Sequence, residues 1–243
     1  MTRAIRLTRR LLPGLFLPAV ASAQGRRMRP GAGPTLGPER ANGVVVWVHQ
    51  HYADGSPPDP PDFLARLTGD SWDLWRLDRE APATGFAPGM DPLADGAEAL
   101  AAGTARLRAE GYRRIAVVGV SRGAFIILVA LRHAPLAEAA LLFAPAAHGQ
   151  RPERRAEALA AFREACEAAR PGAVRRGGVV LFAGDGYDPD PPARAAAFAG
   201  AMARCGAEAL VIDRPAAPTG HGGADDPAMD AIFGTRLAGF LGG

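Results

Sequence analysis

Gly119-Val120-Ser121-Arg122-Gly123 sets a serine between two glycines. A serine hydroxyl is a weak nucleophile until a base takes its proton, so the pattern carries chemistry only if a histidine, itself oriented by an acid, reaches it. Five histidines are present: His49, His51, His133, His148 and His221, the last inside Thr219-Gly220-His221-Gly222-Gly223. Two aspartates, Asp185 and Asp188, follow the apolar run Val179-Val180-Leu181-Phe182. All 28 basic side chains are arginine, which excludes Schiff bases and Ser-Lys dyads. Cys166 and Cys205 are the only thiols; without neighbouring histidines or metal-ligand spacing they are read as a disulfide or as two buried thiols, and no metal is expected.

The elements that must position these groups can be read from hydrophobic pattern. Short apolar runs at 44–48, 72–77, 115–120, 140–143, 179–182 and 209–212 predict strands. Longer Ala/Leu/Arg segments at 62–68, 93–110, 122–133, 153–169, 193–205 and 227–241 predict helices. Their alternation predicts an α/β domain, a mostly parallel sheet of about six strands with helices on both faces. Ser121 then falls on the sharp turn between the strand ending at Val120 and the helix starting at Arg122. Small residues on either side let neighbouring backbone approach, and the helix dipole favours developing negative charge there. A serine at this place can also serve only as a helix cap.

With this order of residues the chain resembles the α/β-hydrolase superfamily over about residues 43–243, especially small esterases and dienelactone-hydrolase-like enzymes. The resemblance implies that Ser121 is the nucleophile and that His221, placed before the last helix, is the general base. It places the acid a few residues beyond the glycine that ends the strand before it, which favours Asp188; Asp185, directly after Gly184, is the alternative and could instead shape the turn. It also implies an oxyanion hole made by the backbone N–H of Arg122 and, by position in His49-Gln50-His51, that of His51. Gln50 stands where many relatives carry glycine. The Arg122 side chain either attracts an anionic substrate or points into solvent. Too few residues lie between Ala144 and Val179 for a large lid domain, so a compact domain with a rather open site is expected.

The net charge of +3 comes from Arg3, Arg6, Arg9 and Arg10, which meet no acid at the N-terminus. Without them the balance is slightly acidic, and no basic stripe with interleaved aromatics supports nucleic-acid binding. These arginines precede a short apolar stretch and Ala21-Ser22-Ala23, so residues 1–23 read as a cleavable signal peptide, of twin-arginine or general secretory type, leaving no stable membrane anchor. Residues 24–41 read as a linker or N-terminal arm, and 42–243 as the hydrolase domain. Together these features predict a periplasmic or secreted serine hydrolase, carboxylesterase-like, acting on a small-molecule ester or acyl substrate without a cofactor. A peptidase or thioesterase with the same residues is the enzymatic alternative, and a catalytically silent binding protein is the other.

Overall fold

The computed structural model describes residues 28–50, 58–68, 71–78, 92–147, 155–188 and 190–243. The signal-peptide reading of residues 1–23 and the oxyanion assignment of His51 fall outside the described residues. In chain order the elements are β1 (Met28–Pro30), β2 (Gly43–Val48), a 3-10 turn (Asp62–Leu64) running into α1 (Ala65–Thr68), β3 (Trp72–Leu77) and α2 (Pro92–Ala109). Then follow β4 (Ile115–Val120), α3 (Arg122–Ala130), β5 (Ala139–Phe143), α4 (Arg155–Ala168), β6 (Arg176–Leu181), α5 (Pro191–Cys205), β7 (Glu208–Asp213), a 3-10 turn (His221–Ala224) and α6 (Pro227–Gly242).

Among the described residues, seven strands form one sheet in the order β1-β3-β2-β4-β5-β6-β7, parallel throughout except for β1, which pairs antiparallel with β3. The expected architecture is thus present with one strand more. That strand comes from the segment read as a linker or arm: Met28-Arg29-Pro30 lies against Leu77, Arg76 and Trp75. The central strands β2, β4 and β5 are buried along their whole length, as a parallel sheet covered on both faces requires. Side chains alternate between two cores. Val44, Val46, Val48, Ile115 and Val117 face α2 to α5, while Val45, Trp47, Ala116, Val118 and Val120 face α1 and α6.

β6 begins at Arg176, three residues before the apolar run, because Gly177 and Gly178 pair with Ala140 and Leu141. Glycine gives no strand signal in sequence, yet here it makes room, since a Cβ at Gly178 would lie 2.7 Å from the Leu141 side chain. The two cysteines are free thiols; burial pushes the Cys166 thiol up to about 12.

The segment after β1 is held by one buried carboxylate. Asp73 of β3 accepts from Leu36 N at 2.6 Å, Gly37 N at 2.9 Å and the Tyr112 hydroxyl at 2.5 Å. Burial, then the bond to Asp73, raises the Tyr112 hydroxyl to about 12, so it remains a donor throughout the ordinary pH range. Tyr112→Phe removes a buried hydrogen bond to a charged group and is expected to lower unfolding free energy by about 1–3 kcal/mol. Urea denaturation measures this; an unchanged midpoint and slope would show that Asp73 does not depend on the tyrosine.

Candidate active site

Ser121 follows β4 directly and occupies φ 53°, ψ −117°, a region that residues with a side chain seldom enter. Hydrogen bonds on both sides hold it there. Its N–H donates to Phe143 O at 2.8 Å, and its carbonyl accepts from Phe125 N at 3.0 Å and Ala146 N at 3.1 Å. The flanking glycines permit the turn: a Cβ at Gly119 would lie 2.7 Å from the backbone of Gly123. One at Gly123 would overlap the Val48 carbonyl oxygen and lie 2.6 Å from that of His49. The first turn of α3 therefore rests directly on the end of β2.

His221 opens the 3-10 turn after β7. Gly220 N donates to Ala183 O at 2.7 Å, tying this turn to the loop after β6. The ring is thereby delivered between serine and acid: Nε2 lies 2.8 Å from Ser121 Oγ, and Nδ1 lies 3.0 Å from both Oδ1 and Oδ2 of Asp185. The Asp185 side chain is 1 % exposed and that of His221 23 %, so the imidazole reaches solvent while its carboxylate partner does not. Tyr187 supports both groups. Its N–H donates to Asp185 Oδ1 at 2.8 Å, and its ring stacks on His221 with centroids 4.0 Å apart.

The preference for Asp188 is corrected by this arrangement. β6 ends at Leu181 rather than at the glycine, so Phe182-Ala183-Gly184 already forms the spacer, and Asp185 is the residue that meets His221. Asp188 turns the other way, into the core, where Oδ1 lies 2.9 Å from Arg194 Nε. Burial pushes its carboxyl up to about 6 even though Arg194 pulls it down, and burial lowers the Arg194 guanidinium in turn. No reading of the sequence singled out Arg194. An arginine in the first turn of a helix looks like a solvated cation, and nothing local signals that it is fully buried.

Around Ser121 and His221 lies a cavity of about 260 Å³, lined also by Val120, Ala146, Ala147 and Tyr187 and by the polar side chains of Gln50, Arg122 and Asp225. Arg122 is buried rather than pointing into solvent, and its Nη1 donates to Ala147 O at 3.2 Å. Gln50 Nε2 donates to Asp225 Oδ2 at 3.2 Å, joining the segment after β2 to the turn that carries His221. His49 is buried, with Nδ1 2.7 Å from Gln50 O. His133 lies away from the site on Glu98, 3.3 Å from its carboxylate.

No family model matches the sequence, and no curated protein matches it. Solved structures do match. A prolyl endopeptidase aligns at 18% identity and a TM-score of 0.60, over 83% of this chain and 34% of its own. The chain thus spans about a third of that enzyme. An esterase from Thermogutta terrifontis, with propionate bound, aligns at 17% identity and a TM-score of 0.56, over 87% of this chain and 85% of its own. An acetyl ester-xyloside bifunctional hydrolase from Caldicellulosiruptor lactoaceticus aligns at 12% identity and a TM-score of 0.58, over 88% of this chain and 85% of its own.

The close approach at Gly123 has a direct test. Gly123→Ala must displace the end of β2 or the first turn of α3, and overpacking of this kind costs about 1–3 kcal/mol. Thermal unfolding should show the loss, whereas a midpoint equal to that of the parent protein would mean that the two backbones are not in contact.

Proposed function

We propose that this chain, whose fold is that of the α/β-hydrolases, is a serine hydrolase that cleaves an ester or related acyl bond through an acyl-enzyme on Ser121. The observation that carries this reading is the unbroken run of hydrogen bonds from Ser121 Oγ through the His221 ring to the Asp185 carboxylate, beside a cavity.

Each group then has one task. His221 Nε2 takes the Ser121 proton as Oγ attacks the substrate carbonyl, and returns it to the leaving oxygen when the tetrahedral intermediate collapses. Asp185 keeps the Nδ1 proton in place and stabilises the imidazolium that forms between these steps. The oxyanion faces the N-terminus of α3, where the backbone N–H of Arg122 is the donor; His51 supplies the second donor by position in the sequence. Water, activated by the same histidine, then releases the acyl group.

A fluorophosphonate probe tests the reading. The folded protein should be labelled at Ser121, Ser121→Ala should not be labelled, and Asp185→Asn should lower turnover of p-nitrophenyl acetate by roughly 10³–10⁴-fold. Folded protein that resists the probe would leave a binding protein as the better description.

We further propose export, on the strength of the four N-terminal arginines, the short apolar stretch and Ala21-Ser22-Ala23. Expression in a Gram-negative host should yield periplasmic or secreted protein whose N-terminal residue is Gln24. Protein retained in the cytoplasm with Met1 or Thr2 at its N-terminus would refute this.

A further inference from the structure

Behind the site, one guanidinium joins the parts that the chemistry needs. Arg194 is in the first turn of α5, its side chain 0 % exposed. Nε lies 2.9 Å from Asp188 Oδ1, Nη1 donates to Pro145 O at 2.6 Å, and the guanidinium carbon sits 5.0 Å from the ring centroid of Phe162 on α4. Two of these contacts, those to Asp188 and Pro145, lead back to the site. Asp188 closes the loop that presents Asp185, its own N–H donating to Asp185 O at 3.3 Å. Pro145 precedes Ala146 and Ala147, of which the first donates its N–H to Ser121 O, the second accepts from Arg122, and both line the cavity.

We propose that Asp188 and Arg194 are positioning residues, a buried clamp that fixes the Asp185 loop against the wall of the substrate cavity. This rests on the reading of Asp185 as the acid of a serine hydrolase. The clamp is not a source of stability. Taking both ions out of water is unfavourable, and a pair of this kind can often be replaced by uncharged groups of similar volume without loss. The ionisation behaviour agrees, because burial is the largest influence on both partners and disfavours the charged form of each.

The sign of the pH effect follows. Asp188 binds a proton more tightly in the folded chain, at about 6, than at its ordinary 3.8, so the folded state holds the extra proton between those values. Its contribution to stability is therefore full below about pH 4 and is lost as the pH rises through about 6. The charged groups that face it are Arg194 from α5 and Asp185 and Asp190 from its own loop. Cys166, which faces Arg194 from α4, remains a neutral thiol.

The full-length protein, the double variant Asp188→Asn/Arg194→Met and the single variant Asp185→Asn separate the possibilities, with p-nitrophenyl acetate and the fluorophosphonate as probes. In the double variant kcat and the labelling rate should fall by about 10–100-fold, as expected for a misplacement near 1 Å, with KM within about threefold of the parent. Its thermal midpoint at pH 7 should equal or exceed that of the parent, and the fall in stability between pH 4 and 6 should shrink. Parent-like kcat in the double variant would overturn the proposal. So would a midpoint that falls together with kcat, because that is what a merely structural pair produces. If the parent protein is not labelled at all, the hydrolase reading itself fails; if parent and double variant are labelled equally fast, only the clamp does.

Discussion

The tightest constraint on this molecule is the approach of the first turn of α3 to the end of β2, which leaves room at Gly123 for a hydrogen atom and nothing larger. β2 and β4 are neighbours in register, Val48 beside Gly119, so the chain must turn back over β2 as soon as β4 ends. Ser121 absorbs that turn with a positive φ. Backbone strain of this sort costs about 1–3 kcal/mol and persists only where the surroundings over-determine it. Here three backbone hydrogen bonds, to Phe143, Phe125 and Ala146, do so, and the hydroxyl is left standing at the end of the strand with the helix N-terminus beneath it. The cavity, the histidine and the acid are arranged around that point.

Much of this was legible in the linear chain, for a physical reason. A parallel sheet covered on both faces produces unbroken apolar runs, so Val44–Val48 and Ile115–Val120 stand out, and the strand between Trp72 and Leu77 has the same bounds in the structure. Ser121 and His221 were legible because strand, serine and helix are contiguous, and because the histidine follows the last strand. What escaped detection depends on contacts with no local trace. β1 is three residues ending in proline, too short to show alternation, and it exists because β3 offers an open edge.

The acid shows the same limit from closer range. Both aspartates lie in one loop, and a count of residues from Gly184 favours Asp188. The strand stops at Leu181, where β6 parts from its pairing with Asp213 of β7, and that stop moves the count to Asp185. Where a strand ends is decided by its neighbours. The burial of Arg194 is likewise a tertiary fact: the loop after β5 and a phenyl ring on α4 come from 49 and 32 positions away in the chain.

Tyr187 divides its duties between two parts of one residue. The main-chain N–H holds the Asp185 carboxylate, and the side-chain ring covers His221 and lines the cavity. The first duty is indifferent to what side chain stands there, proline excepted. The cavity-facing surface at this position can therefore diversify without disturbing how the Asp185 carboxylate is held, so the loop after β6 can change the shape and polarity of the cavity wall while the hydrogen bonds beneath it stay put.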